Sequence, residues 1–147
     1  MNVDTHSLDA FNAEAIRFVR ELSPGARATV VALSGDLGAG KTTFVQAIAK
    51  ELGIEEPVNS PTFVIEKVYS IQGSTLNAFK CLVHIDAYRL NSAQEISVLG
   101  WPQLVADPGN LIFVEWPEHV SGAVPHDAIR IVLSGTGDER TILYGEK

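Results

Sequence analysis

The sequence predicts an α/β fold, three layers deep, with helices on both faces of a mainly parallel central sheet and a β-hairpin. Three observations lead there. Short apolar runs rich in β-branched residues, at 28–33, 81–86 and 111–114, have the pattern of strands buried on both faces. Segments of helical periodicity alternate with them. The first run passes through the glycine-rich turn Gly35-Asp36-Leu37-Gly38-Ala39-Gly40 directly into a helical segment.

Residues 7–22 carry Leu8, Phe11, Ala15, Phe18, Val19 and Leu22 at helical spacing, a core-facing stripe, and Pro24-Gly25 stops the helix. Residues 28–33 are the first strand. Residues 43–52 form a helix with Phe44, Val45, Ile48, Ala49 and Leu52 on one side, and Gly53 is placed to cap it in the left-handed conformation. Residues 63–69 and 81–86 read as strands of a long hairpin with its polar tip at 70–80. A helix starts near Ser92, where Glu95 completes a Ser-x-x-Glu capping box. Residues 111–114 form a buried strand, and 128–133 and 141–144 form two more around Gly135-Thr136-Gly137-Asp138. No repeat or linker interrupts the chain, so residues 1–147 read as one domain.

Of the 147 residues, 46% are hydrophobic and 20% charged, enough for one packed core. The formal charge of -7 repels phosphate backbones, so no direct nucleic-acid binding is expected. There is no apolar stretch of about 18 residues, and residues 1–4 lack a basic start followed by an apolar run. The expectation is a cytoplasmic protein with no membrane attachment. The single cysteine, Cys81, excludes an internal disulfide and a spaced Cys/His zinc site, and at the head of an apolar run it reads as a core thiol.

Gly35 through Thr42 satisfies G-x-x-x-x-G-K-[ST], the P-loop pattern, and each fixed position has a physical reason. Gly35, Gly38 and Gly40, with Asp36, Leu37 and Ala39 between them, let the backbone wrap closely around phosphate oxygens with N–H groups pointing inward. The helix that follows, entered through Thr43, presents its positive N-terminal end to the same anion. Lys41 supplies a mobile positive charge for the outer phosphates, and the Thr42 hydroxyl is a hard oxygen ligand for Mg2+. The strand before and the helix after supply the context the motif demands. The fold class this points to is the P-loop NTPase three-layer fold.

Two carboxylates stand at the carboxyl ends of apolar strands, Asp86 after Leu82-Val83-His84-Ile85 and Glu115 after Leu111-Ile112-Phe113-Val114. Asp86 could hold magnesium, directly or through water, while Glu115 orients an attacking water, or the roles could be exchanged or shared; the sequence leaves their assignment open. Thr62, in Ser60-Pro61-Thr62-Phe63, is a candidate switch-type ligand, against a plain proline turn. Arg89 is a candidate for stabilising charge on the leaving phosphate, against a surface ion pair. Trp116 puts a flat ring beside Glu115 to line a nucleotide pocket, against a packing role. His84, with no second histidine at ligand spacing, reads as a hydrogen-bonded structural residue, and Trp101 before Pro102 reads as packing.

Together, Gly-Asp-Leu-Gly-Ala-Gly-Lys-Thr-Thr at 35–43, Ser-Pro-Thr-Phe at 60–63, His-Ile-Asp-Ala-Tyr-Arg-Leu at 84–90 and Glu-Trp-Pro-Glu at 115–118 resemble the TsaE (YjeE) family over nearly the whole chain. These are bacterial ATPases of tRNA threonylcarbamoyladenosine modification that work with the TsaD and TsaB proteins. The resemblance implies that Lys41 and the surrounding amides bind the phosphates of ATP, that Thr42 and Glu115 hold magnesium, and that Asp86 is needed for hydrolysis. It places Thr62 in a switch-like loop, Arg140 as a late arginine approaching the nucleotide, and His6 near a position that contacts the base. Two departures stand out: Ala87 replaces the usual leucine, and the segment 70–80 is longer than the usual hairpin.

The resemblance implies an ATPase acting on a protein complex rather than on RNA, which suits the acidic composition. ATP binding would dock it on TsaD–TsaB, and hydrolysis or release would reset the complex. A small-molecule kinase is the main alternative, but the six arginines are scattered and form no basic lid. A GTPase would carry an Asn-Lys-x-Asp segment, and none occurs. A module that binds nucleotide without turnover is the third reading, if Asp86 and Glu115 are structural.

Overall fold

The computed structural model describes residues 1–59, 66–71 and 78–145. Its strands are β1 (Asn2–Thr5), β2 (Thr29–Ser34), β3 (Glu66–Ser70), β4 (Cys81–Asp86), β5 (Asn110–Glu115), β6 (Ile129–Thr136) and β7 (Glu139–Tyr144). They form one sheet in the order β1-β7-β6-β2-β5-β4-β3. The middle of the sheet, β6-β2-β5-β4, is parallel, while β1, β7 and β3 join antiparallel at the margins. The parallel character expected from the buried apolar runs is thus confined to the middle, where both faces are covered.

Alternation along each strand sorts its side chains between two cores. On one face Val31, Leu33, Leu82, Leu111 and Phe113 meet helices α1 (Leu8–Arg20) and α2 (Lys41–Glu51) through Phe11, Phe18, Phe44 and Ile48. On the other, Val30, Ala32, Val83, Ile85, Ile112 and Val114 meet α3 (Ala93–Ser97), α4 (Trp101–Ala106) and a 3-10 segment (Pro117–Ala123) through Ile96, Trp101 and Val120. This gives the expected three layers. Phe44 is fully buried, with its ring 5.8 Å from Phe11 and 5.9 Å from Phe18, so α2 is keyed to α1 by aromatic contact as well as by burial.

Local chemistry explains the element ends. The Ser7 hydroxyl accepts from the Ala10 amide to start α1. Gly53, at φ 83°, ends α2 as expected: its N–H donates to the Lys50 carbonyl and the Ile54 N–H to Ala49. Glu14, buried in α1, accepts both hydrogen bonds of an Arg17 fork at 2.7 and 2.6 Å and a third from the Tyr144 hydroxyl at 2.5 Å. Those donors hold the Glu14 carboxyl below its usual range, Arg17 contributing most and burial opposing.

Several expectations are corrected. Leu8 is exposed, because the first turn of α1 projects beyond the sheet-covering stripe. Cys81 is only half-buried as the first residue of β4. The capping box fails at Ser92, whose side chain makes no cap; Glu95 accepts instead from the Asn91 amide. The last hairpin is tighter than expected, with Thr136 facing Glu139 across Gly137-Asp138 and Gly137 at φ 60°. β1, α4 and the 3-10 segment were not expected: β1 has one apolar residue, Val3, and α4 starts with a Trp-Pro pair that an N-terminal turn tolerates. The hairpin β3–β4 is present, with residues 63–65 of its first expected strand and 72–77 of its tip outside the described residues. Among the described residues no helix is long and apolar enough to cross a membrane.

Candidate functional site

Strand parity brings the polar groups together. His84 and Asp86 follow Leu82 on β4, and Glu115 follows Phe113 on β5, so all three face the α1–α2 layer. Register places Asp86 beside Glu115 and His84 beside Phe113. His84 therefore reaches Glu115 diagonally, and its Nε2 lies 2.5 Å from Glu115 Oε2, both side chains buried. The expectation of a hydrogen-bonded histidine holds.

The loop from β2 to α2 sits above these groups. Gly35 has φ 148°, and a Cβ there would lie 2.5 Å from the Leu133 carbonyl oxygen, so any side chain would push the loop off β6. Gly40, at φ 104°, precedes α2, where a Cβ would crowd Phe11 at 3.1 Å. Lys41 folds back: Nζ donates to the carbonyls of Gly35 and Asp36, the latter at 3.1 Å, and stands 4.3 Å from the centroid of the Trp116 ring. It is buried, and burial lowers its pKa, against the pull of Glu115, Asp86, Glu118 and Asp36. Thr42 Oγ1 donates to Glu115 Oε2 at 3.3 Å.

A cleft of about 460 Å³ is lined by Leu37, Gly38, Gly40, Lys41, Thr42, Thr43, Asp86, Tyr88, Glu115, Trp116 and Arg140. Most of the site residues expected from sequence thus converge on one opening. Asp36 contributes its carbonyl to Lys41, and Ala39, within the loop, is buried in the core shared with Phe11 and Phe44. Arg140 ties β7 to the loop: its guanidinium donates to the Gly38 carbonyl at 2.5 Å, to Gly137 at 3.0 Å and to Gly135 at 3.4 Å. His6 does not line this cleft; its Nδ1 meets Glu139 Oε2 at 2.5 Å in an exposed pair that raises the His6 pKa. Arg89 is exposed and is not among the lining residues. Thr62 lies outside the described residues.

Tyr88, which lines the cleft, and His119, which does not line it but stacks on Trp116, were not singled out as site residues. Their rings lie 5.1 and 5.5 Å from that of Trp116, and His119 Nδ1 is 3.0 Å from the Ala87 carbonyl oxygen. The signal was the placement of Tyr88 and His119 each a few residues after a strand-end carboxylate. Trp116 itself adopts φ 59°, the only positive φ outside glycine among the described residues, and this turns its ring over Lys41.

Residues 5–142 match the family described as Threonylcarbamoyl adenosine biosynthesis protein TsaE. The tRNA threonylcarbamoyladenosine biosynthesis protein TsaE of Bacillus subtilis is 39% identical over 116 residues, 78% of this chain and 68% of that protein. Its namesakes in Borreliella burgdorferi and Haemophilus influenzae are 38% and 32% identical, over 72% and 79% of this chain and 76% and 69% of theirs. The crystal structure of Bacillus subtilis YdiB superposes with a TM-score of 0.75 at 30% identity, covering 98% of this chain and 83% of that one. The family match and the relatives agree, and the chain belongs to the TsaE family of threonylcarbamoyladenosine biosynthesis proteins.

Proposed function

We propose that this protein is a magnesium-dependent P-loop ATPase that supports a TsaD–TsaB complex in the threonylcarbamoyladenosine modification of tRNA. One observation carries the reading: the Thr42 hydroxyl and the Glu115 carboxylate meet at 3.3 Å in the cleft that also contains Lys41. A hydroxyl at the start of a helix, joined to an acid at the end of a parallel strand, is the pairing that magnesium–phosphate chemistry requires.

The donor set fits magnesium. Thr42, Glu115 and Asp86 offer hard oxygens to one cleft. Among the described residues no group of three or more His, Cys, Asp or Glu could hold a metal alone. Magnesium needs none, because water and phosphate oxygens complete its shell. Bound there, it would neutralise charge on the outer phosphates. The Thr42–Glu115 contact favours these two as its holders and leaves Asp86 to orient the attacking water.

The other residues take roles that follow from their places. Lys41 turns from the Gly35 and Asp36 carbonyls to the phosphates, and the loop amides from Asp36 to Thr43 with the α2 N-terminus surround them. Arg140 reaches the phosphates from the β7 side. Trp116 and Tyr88 wall the cleft from water, and His6, held by Glu139 outside the cleft, is the candidate for contact with the base. Arg140 is the one arginine lining the cleft among the described residues, so full stabilisation of the departing phosphate requires a partner. Isolated turnover is then slow.

Phosphate release from ATP or GTP with magnesium, with and without TsaD–TsaB, tests this. Slow ATP-specific turnover that rises with the complex is expected. Fast turnover alone, preference for GTP, or transfer to a small metabolite, the kinase alternative, overturns it.

A further inference from the structure

We infer that His84 is a positioning residue, holding the Glu115 carboxylate in the orientation that meets Thr42. The inference rests on the magnesium–ATP reading of the cleft and adds a residue to it. His84 is fully buried in β4, and its Nε2 is 2.5 Å from Glu115 Oε2. That oxygen also accepts the Thr42 hydroxyl at 3.3 Å. Two donors from two elements, β4 and α2, therefore converge on one carboxylate oxygen at the end of β5.

The ring has no other polar task among the described residues. Its Nδ1 finds no hydrogen-bond partner there, so the polarity of the imidazole is directed to Glu115 alone. A carboxylate accepts only, which puts a proton on Nε2. A buried aliphatic residue would fill the same volume without leaving a nitrogen unsatisfied. The neighbours on that face, Leu82 and Phe113, are of that apolar kind, and His84 departs from them where Glu115 comes within reach. A carboxylate that approaches magnesium gains from a fixed rotamer, because reorientation is a barrier the loaded site would otherwise have to meet.

Side-chain geometry supplies the test. The amide nitrogen of glutamine lies as many bonds from Cβ as Nε2 of histidine, whereas that of asparagine matches Nδ1 and points away from Glu115. ATP affinity is measured by calorimetry with magnesium and with chelator, and phosphate release is measured with TsaD–TsaB. His84→Asn is expected to lose roughly 10- to 100-fold in the magnesium-dependent gain of affinity and in kcat, with chelator-state ATP binding unchanged. His84→Gln is expected to restore most of both. If the asparagine variant melts below the assay temperature, His84→Met takes its place as a donor-free residue of similar volume.

Equal behaviour of the glutamine variant and the donor-displaced or donor-free variant overturns the inference, whether both are active or both are lost. A wild type without hydrolysis whose magnesium-dependent affinity still follows the pattern sinks the ATPase reading and leaves the positioning role standing. A wild type indifferent to magnesium overturns both.

Discussion

The Lys41 ammonium stands 4.3 Å from the centroid of the Trp116 ring, and Trp116 presents that ring from a left-handed backbone at φ 59°. The Lys41 cation is thus in electronic contact with an indole. Moving the cation changes the environment of the ring. In a Trp101→Phe background, ATP is expected to shift Trp116 emission, and Lys41→Ala is expected to shift it without ATP and abolish the further response. An ATP response that survives in the lysine variant would separate the ring from the lysine.

Removing the charge itself has a larger effect. Lys41→Ala is expected to weaken ATP binding by about 2–5 kcal/mol, since phosphates would enter a buried site without their cation. Glu115→Ala is expected to leave ATP binding measurable in chelator and to lower hydrolysis by at least about 100-fold, through the loss of a magnesium holder. Calorimetry and phosphate release on the same preparations check the pair.

The His6–Glu139 pair gives a pH signature. Its hydrogen bond, and then the Glu139 charge, raise the His6 pKa above 6.5. A raised histidine pKa means the favourable pairing is complete below 6.5 and is lost as pH rises through the folded value. NMR titration of the His6 ring should show a midpoint above 6.5 that returns toward it in Glu139→Gln.

Glu14 behaves with the opposite sign. Arg17 first, and Tyr144 after it, hold its carboxyl below 4.5 against burial. The stability it contributes is complete above 4.5 and is lost as pH falls through the lower folded value. The cost of Glu14→Gln in urea unfolding is therefore expected to be largest near neutrality and to shrink in acid. Tyr144→Phe, which removes one hydrogen bond to a charged acceptor, should cost about 1.5–3 kcal/mol at neutral pH.

Phe44 reports on the packing that carries α2. Fully buried between Phe11 and Phe18, it should cost about 3–5 kcal/mol when replaced by alanine, read from urea midpoints.

Much of this molecule was legible in its sequence where chemistry is local. Apolar runs marked β2, β4 and β5, and the spacing from Phe44 to Leu52 marked the buried face of α2, because burial on both faces or on one face writes its period into the chain. Glycine and lysine positions outlined the loop over the site for the same reason. Strand order was not legible: the neighbours of β2 are β5 and β6, set by sheet closure far along the chain. Without that order the residues alone left Asp86 and Glu115 interchangeable; in the structure Glu115 accepts from Thr42 and meets His84, whereas Asp86 accepts from the Tyr88 amide. β1 was missed because an edge strand held by backbone pairing to β7 needs little hydrophobic pattern.

Arg140 and Lys41 together occupy five carbonyls, those of Gly35, Asp36, Gly38, Gly135 and Gly137. Three of these belong to the β2–α2 loop and two to the β6–β7 hairpin, so on the proposed reading both segments would compete with the ligand for the two cations. An arriving anion would exchange partners with these carbonyls, and a polyphosphate, able to engage both cations at once, would gain more than an anion that reaches one. A preference for polyphosphate would in this way be set ahead of any contact with sugar or base.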